Sequence, residues 1–163
     1  NSFDVLVNYA STFYPTPLSE VSDDHWDKLI GSNLKGPLFL IQGLKDKLIE
    51  SQGSIINITD TNLSKGVANF SIYAAAKGGL ESLTKSLARE LAPEVTVNAI
   101  APGAMLEPPD VTWTDEQKEK VVSNIPLKRM GSEKVIANAV KFVVGSKYMT
   151  GQIIKVDGGR SLS

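Results

Sequence analysis

A tyrosine and a lysine, Tyr73 and Lys77, lie four residues apart in a stretch with the pattern of an amphipathic helix. At this spacing their side chains lie one turn apart on the same face of the helix. A lysine ammonium beside a phenol stabilises the phenolate, so the pair predicts a tyrosine pKa below its usual value of about 10. Such a tyrosine can donate a proton near neutral pH. The spacing alone, however, favours a plainer interpretation, a helix with an exposed lysine and a half-buried tyrosine.

Asp60 comes thirteen residues before Tyr73 and directly follows an apolar run over 53–59 that predicts a buried strand. An unpaired buried carboxylate is costly, so Asp60 must meet solvent, a hydrogen-bond donor or a substrate. Taken by itself, Asp60 is better explained as a turn-forming residue that bonds local amides.

Two more side chains lie where a ligand could bind. Asn33 is in the middle of a helical pattern, where Gly31, Gly36 and Pro37 imply a bend or a break. Its amide could bond a main-chain carbonyl exposed at the bend and hold a water, although an ordinary surface asparagine is the simpler expectation. Phe13 follows the first strand pattern and offers a stacking face for a planar ring. The alternative is a loop aromatic that folds back onto the core.

Strand and helix patterns alternate along the chain and must position these residues. Short apolar runs predict buried strands over 4–8, 53–59, 94–101 and 151–159, the last including a turn. Helical patterns cover 22–51, 71–91, 115–123 and 133–144, with serines at 22 and 132 as caps. This alternation predicts an α/β fold, a doubly wound parallel sheet with helices on both faces. Ligands bind outside the carboxyl ends of such strands, which here means 8–13, 59–61 and 102–105.

The composition limits the possible functions. A chain of 163 residues predicts a single domain over 1–163. The net charge of −1, without a basic stripe, argues against nucleic acid as a partner. The absence of cysteine and the presence of one histidine, His25, make disulfides, thiol nucleophiles and zinc sites improbable, so we expect no metal. No apolar run reaches membrane-spanning length, and we expect a soluble cytoplasmic protein.

Five sequence strings occur in the order and spacing of a known family: "LVNYAS", "SNLKGP", "YAAAK", "VNAIAPG" and "TGQIIKVDGG". Together they resemble the short-chain dehydrogenase/reductase family over essentially the whole chain. The resemblance implies a three-layer Rossmann-like fold, NADPH as cofactor, and Tyr73, Lys77 and Asn33 as catalytic residues. Lys77 would bind the nicotinamide ribose and tune Tyr73, and Asn33 would hold a proton-relay water. The remaining cofactor contacts that it implies are Asn8 and Ala10 near the ribose, Pro102 and Gly103 near the nicotinamide, and Ser11.

Two features resemble the pteridine reductase branch, which includes dihydromonapterin reductases. Asp60 stands where most of the superfamily has a serine, and "YASTFYPTPL" matches the branch's substrate loop. The resemblance implies NADPH-dependent reduction of a dihydropterin to its tetrahydro form, with Tyr73 and Asp60 handling protons, Phe13 stacking on the pterin and Ser11 contacting it. One alternative is a general carbonyl or ketoacyl reductase of the same family. Another is a truncated, non-catalytic chain that acts through an oligomerisation surface.

The chain also departs from the family pattern. The glycine-rich cofactor fingerprint is not in it, and a strand pattern begins almost at Asn1. We therefore expect an N-terminally incomplete domain that supplies the last four strands of a seven-stranded sheet and binds NADPH poorly alone. Tyr9 replaces the second asparagine of the family's N-N-A-G element, which puts the local strand geometry in doubt. The resemblance further implies a homotetramer or homodimer formed through the helix that carries Tyr73 and Lys77.

Overall fold

The computed structural model describes residues 3–105 and 113–162. The strands are β1 (Val5–Asn8), β2 (Ser54–Ile58), β3 (Thr96–Pro102) and β4 (Ile153–Val156). The helices are α1 (Asp23–Ile30), α2 (Gly36–Glu50), α3 (Ser71–Glu90), α4 (Asp115–Ser123) and α5 (Glu133–Gly145), with a π-helical segment, Gly31–Lys35, between α1 and α2. These elements confirm the predicted order and differ from the predicted bounds mostly by one or two residues. Residues 106–112, which follow β3 and precede α4, lie outside the described residues.

The four strands form one parallel sheet in the order β1-β2-β3-β4. Leu6 pairs with Ile55, and Ile55 pairs with Val97, so the carboxyl ends of neighbouring strands reach the same edge. This strand order is the one expected when each strand–helix–strand crossover connection is right-handed. Within the described residues β1 is an edge strand of the sheet, and its Val5 and Val7 side chains are 36% and 38% exposed.

Alternate residues of β2 and β3 contribute to two separate cores, because successive side chains point to opposite faces of a sheet. On one face Ile55 and Val97 pack with Leu48 of α2 and Leu87 of α3. On the other face β2 and β3 side chains pack with Val143 of α5; the buried members of this second core are Ile56, Ile58, Ile100 and Val143. The three-layer, doubly wound architecture predicted from the alternation of elements is therefore confirmed. None of the helices in the described parts of the chain is long and apolar enough to cross a membrane.

The predicted bend between α1 and α2 is a π-helical segment. The chain stays helical there, but one turn is closed by a hydrogen bond between residues five apart instead of four. The Gly36 N–H donates to the Gly31 carbonyl five residues earlier. A Cβ on Gly36 would lie 3.1 Å from that carbonyl oxygen, which explains a glycine at this position. The predicted caps differ: the Ser22 hydroxyl accepts a hydrogen bond from the His25 N–H, whereas the Ser132 side chain makes no capping bond to α5.

A line of buried polar side chains joins β1, β2 and α3. Asn8 Nδ2 donates to Asn57 Oδ1 at 2.8 Å, and Asn57 Nδ2 donates to Thr84 Oγ1 at 2.9 Å. The Thr84 hydroxyl in turn donates to the Leu80 carbonyl at 2.8 Å. Buried polar groups need such partners. This chain of hydrogen bonds from Asn8 through Asn57 to Thr84, called the polar ladder, therefore fixes the position of α3 against the first two strands.

Thr84→Val should lower the free energy of unfolding by about 1–3 kcal/mol, because it leaves the buried Asn57 amide without its acceptor. Urea unfolding of the natural full-length protein measures this difference. Ser82→Ala, at an exposed position of the same helix, should change the free energy of unfolding by no more than about 0.5 kcal/mol. Equal unfolding midpoints for Thr84→Val and the wild type would contradict the ladder.

Candidate active site

Asp60 and Tyr73 meet at the carboxyl end of β2. Asp60 Oδ1 accepts a hydrogen bond from the Asn62 N–H at 2.7 Å, as expected of a turn-forming aspartate. Its other oxygen, Oδ2, accepts a hydrogen bond from the Tyr73 hydroxyl at 3.0 Å. Tyr73 is buried and Asp60 is half-buried. Asp60 therefore fulfils both expectations for such a residue: it shapes its turn, and it binds a donor from a distant element.

Lys77 lies one turn after Tyr73 on the buried face of α3. Its side chain is only 2% exposed, and Nζ donates to the Ile58 carbonyl at the end of β2 at 2.8 Å. Nζ lies 5.9 Å from the centroid of the Tyr73 ring. The expectation of an exposed lysine is therefore wrong, and the pair shares a face as the spacing predicts.

The small residues after Tyr73 let another element come close. A Cβ on Gly79 would lie 2.8 Å from a methyl carbon of Leu34 in the π-helical segment. The site helix therefore packs directly on the bend between α1 and α2.

The prediction that Lys77 lowers the pKa of Tyr73 is wrong. Burial raises the pKa of Tyr73, and the negative charge and hydrogen bond of Asp60 raise it further. Burial lowers the pKa of Lys77 to about 8, although the Asp60 charge opposes this change. The reason is geometric: the ammonium binds the Ile58 carbonyl, while the carboxylate binds the phenol directly. Tyr73 is thus a protonated donor at neutral pH.

Phe13 belongs to the loop between β1 and α1, and its ring contacts the ring of Tyr73. The Phe13 ring is edge-on to Tyr73, with centroids 4.9 Å apart, and stacks on Phe70 at 4.7 Å with an interplanar angle of 17°. Phe13 remains 59% exposed, so it is not a core residue. Phe70 is not among the site residues predicted from the sequence. Its position three residues before Tyr73, at the start of the same helix, is a signal that it shares the Tyr73 face.

Asn33 is fully buried in the π-helical segment, so the expectation of a surface asparagine is wrong. Its Nδ2 donates to the Leu29 and Thr12 carbonyls, both at 2.9 Å, and its Oδ1 accepts from the Ser11 hydroxyl. The bond to Leu29 confirms that the amide serves a main-chain carbonyl at the bend. The water-holding role of Asn33 and the ligand contact of Ser11 stay predictions.

The other predicted cofactor residues lie at the carboxyl ends of β1 and β3, on either side of β2. Asn8 is buried and bonded to Asn57, whereas Ala10 is exposed. The Pro102 carbonyl accepts from the Thr61 hydroxyl at 3.2 Å, and a Cβ on Gly103 would lie 2.7 Å from the Asp157 Cα. Gly103 is thus required by the close approach of the chain after β4. Tyr9, the departure from the family pattern, is 71% exposed just after β1, and β1 pairs with β2 through Asn8.

The donor set fits the nicotinamide-ribose part of NAD(P)H. An ammonium group has three N–H donors. Lys77 directs one of them at the Ile58 carbonyl, and the Tyr73 hydroxyl lies on the same face of α3. Adjacent sugar hydroxyls can accept from the remaining Lys77 N–H groups and donate to the Tyr73 oxygen, whose own proton is bonded to Asp60. Lys77 and Tyr73 would therefore hold the ribose beside the reacting ring.

Two other features lie apart from this cluster. Across residues 3–105 and 113–162, no group of three or more histidine, aspartate or glutamate side chains could hold a metal ion. A cavity of about 540 Å³ borders Met105, Met130 and Asp157, and it includes none of the predicted catalytic residues.

Stability should rise between pH 8 and about pH 10 because of Lys77. Its folded pKa of about 8 lies below the unfolded value of about 10.4. Between these values the unfolded chain binds more protons than the folded protein, so the free energy of unfolding increases with pH. The Lys77 contribution should be on the order of 2 kcal/mol. Above about pH 10 the raised pKa of Tyr73 acts in the opposite direction, which sets the upper limit of the window.

Chemical denaturation at a series of pH values measures this contribution. Lys77→Met should lose it, whereas Lys85→Met, at an exposed position of the same helix, should retain the wild-type profile. Identical pH profiles for Lys77→Met and the wild type would contradict the burial of a lysine with a lowered pKa.

Comparisons with known proteins agree with this geometry. A family model described as Enoyl-(Acyl carrier protein) reductase matches residues 1–161. The 3-oxoacyl-[acyl-carrier-protein] reductase FabG of Staphylococcus epidermidis is 40% identical over 162 residues, which is 97% of this chain and 66% of that protein. FabG of Thermotoga maritima is 36% identical over 160 residues, 96% of this chain and 65% of that protein. The chain thus spans about two thirds of the length of these relatives.

A solved structure shares the fold. The apo SCOR enzyme from Clostridium thermocellum superposes with a TM-score of 0.89 at 36% identity, over 99% of this chain and 64% of that one. The parallel sheet, the buried Tyr73–Lys77 pair at the end of β2 and these similarities lead to one conclusion: the chain belongs to the short-chain dehydrogenase/reductase family of oxidoreductases.

Proposed function

We propose that this protein uses NADPH to reduce a dihydropterin to its tetrahydro form, with Tyr73 and Asp60 in the proton-transfer site and Phe13 as a stacking surface. The observation that carries the proposal is the hydrogen bond from the Tyr73 hydroxyl to Asp60 Oδ2, at 3.0 Å. The Asp60 carboxylate stands at the position where most members of the family that this chain resembles carry a serine hydroxyl. Substrate selection follows from this difference in hydrogen-bonding chemistry.

A carboxylate only accepts hydrogen bonds, whereas a serine hydroxyl also donates them. A pterin presents ring N–H and amino groups along one edge, and these can donate to Asp60. The carbonyl oxygen of a 3-oxoacyl group has no hydrogen to donate, and it gains negative charge during reduction. A carboxylate beside it would oppose that charge, since catalysis at such a centre needs donors directed at the oxygen.

The roles of the residues follow from their contacts. When bound, NADPH supplies the hydride that adds to the carbon of the substrate C=N bond, and a proton must reach the nitrogen. Tyr73, whose pKa is raised, keeps its proton at neutral pH and can serve as the donor. The one Tyr73 O–H bonds Asp60 Oδ2 in the free site, so it must turn from Asp60 to the substrate nitrogen to donate its proton, and a proton from solvent then restores the tyrosine. Phe13, next to the Tyr73 ring, offers a planar aromatic surface for the substrate.

A second candidate is reduction of a 3-oxoacyl thioester. It is favoured by the names of the relatives, because proteins 40% and 36% identical to this chain are 3-oxoacyl-[acyl-carrier-protein] reductases. The Tyr73 hydroxyl could donate to a carbonyl oxygen as readily as to a ring nitrogen. The two candidates therefore differ at Asp60, and that residue is where they are best separated.

The test compares NADPH oxidation by the natural full-length protein with a dihydropterin and with a 3-oxoacyl thioester. The wild type should prefer the dihydropterin in kcat/KM. Asp60→Ser and Tyr73→Phe should each lower that rate by about 100-fold, the typical contribution of a positioned acid–base group. Asp46→Ser, at an exposed position on α2, should keep the wild-type rate.

Opposite results would select the alternatives. A wild type that prefers the thioester, with an Asp60→Ser variant that equals or exceeds it, would establish the ketoacyl reductase. Dihydropterin reduction that survives both Tyr73→Phe and Asp60→Ala would show that the site has been placed wrongly.

We also propose that the protein assembles as a homodimer or homotetramer through α3 together with α2. Exposed apolar side chains on α2 support this: Phe39 is 56% exposed, and Leu38 and Leu40 are 38% and 48% exposed. Phe39→Lys should lower the molecular mass measured by sedimentation, whereas Asp46→Ser should leave it unchanged. An unchanged mass for Phe39→Lys would place any assembly surface elsewhere.

A further inference from the structure

The loop over 9–17, which carries Phe13, is attached to the rest of the protein at two places. One attachment is to the π-helical segment: the Asn33 amide donates to the Thr12 carbonyl at 2.9 Å. The other is beside α3, where the Thr16 N–H donates to the Asn69 carbonyl at 2.6 Å. Phe13 lies between these two attachments.

The attachment at Thr12 involves several hydrogen bonds. The Thr12 N–H donates to Ser32 Oγ at 3.3 Å, and the Thr12 and Ser32 hydroxyls bond each other. Ser11 donates to Asn33 Oδ1 from the same side. Thr12 is exposed, whereas Asn33 is fully buried, so the loop is joined to a rigid anchor.

Hydrophobic burial does not explain where Phe13 lies. Its ring is 59% exposed, and its aromatic contacts are with Phe70 and Tyr73. A ring that buries so little apolar surface gains little from packing alone. The contacts with Phe70 and Tyr73 contribute modestly, so the position of Phe13 also depends on how its backbone is held at the preceding residue, Thr12.

We propose that Thr12 and Ser32, anchored on Asn33, are positioning residues that hold Phe13 over Tyr73 for a planar substrate. The hydrogen-bonded group of Thr12, Ser32 and Asn33 is called the clasp below. The substrate part of the proposal rests on the proposed function. Holding the stacking ring in place before binding removes the entropy loss of ordering it. The clasp should thus act on substrate binding and leave the proton-transfer step at Tyr73 unaffected.

The test uses Thr12→Val, which removes the hydroxyl and keeps the shape, and Ser32→Ala. Each should raise KM for the dihydropterin about 2- to 10-fold, the range expected for one hydrogen bond, with kcat unchanged within about twofold. Thr12→Ser should restore the wild-type KM. In a Phe13→Ala background, Thr12→Val should have no further effect, because the clasp acts through the ring.

Thr16→Val is the matched control. Thr16 lies in the same loop and is fully buried, but its hydroxyl has no hydrogen-bond partner among the residues that the structure describes. Removing it should change neither kcat nor KM. The same Thr→Val replacement thus separates the loss of the clasp from a general effect of threonine replacement in this loop.

Amide hydrogen exchange provides a readout that needs no substrate. Thr12→Val should speed exchange within residues 9–17, whereas Thr16→Val should leave it at the wild-type rate. Unchanged exchange and unchanged KM in Thr12→Val would overturn the clasp, as would a Thr12→Val effect that persists in full in Phe13→Ala. If the wild type reduces only the thioester, the proposed function and the planar-substrate part fail, and the exchange data still decide whether the clasp holds the loop.

Discussion

The hydrogen bond from the Lys77 ammonium to the Ile58 carbonyl is the interaction on which the site depends. A charged group buried in a protein needs a partner, because its hydration is lost. Here the partner is the last residue of β2, so α3 can satisfy Lys77 only in one position along the sheet. That position brings Tyr73, one turn earlier, to Asp60 at the end of the same strand. The hydrogen bonds from Asn8 through Asn57 to Thr84 hold α3 against β1 and β2 at a second point along the helix.

The π-helical segment between α1 and α2 has a comparable role for the substrate side of the site. Its wider turn leaves the Leu29 carbonyl to be satisfied by the Asn33 side chain, which also reaches the Thr12 carbonyl. Irregular helical turns of this kind are frequent at functional sites. In this protein the irregularity links the helix that packs against α3 to the loop that carries Phe13.

The residues that support the family assignment differ from those that support the proposed substrate. The chain shares its fold with the SCOR enzyme of Clostridium thermocellum and 40% of its residues with a 3-oxoacyl-[acyl-carrier-protein] reductase. Asp60 and Phe13 lie in the same cluster, and they give it an acceptor and a stacking ring beside the donor. Under the proposed function, this one carboxylate determines which hydrogen-bonding groups the substrate must present.

The sequence by itself determined the order of strands and helices, the parallel sheet and the shared face of Tyr73 and Lys77. These follow from local periodicity and from the spacing of residues along one helix. Only the tertiary structure decided that the pKa of Tyr73 is raised, that Asn33 is buried, and that Phe13 pairs with Phe70. Each depends on desolvation or on contact between segments far apart in the chain. Local sequence patterns do not encode such effects, because the groups that cause them come together only when the strands and helices pack.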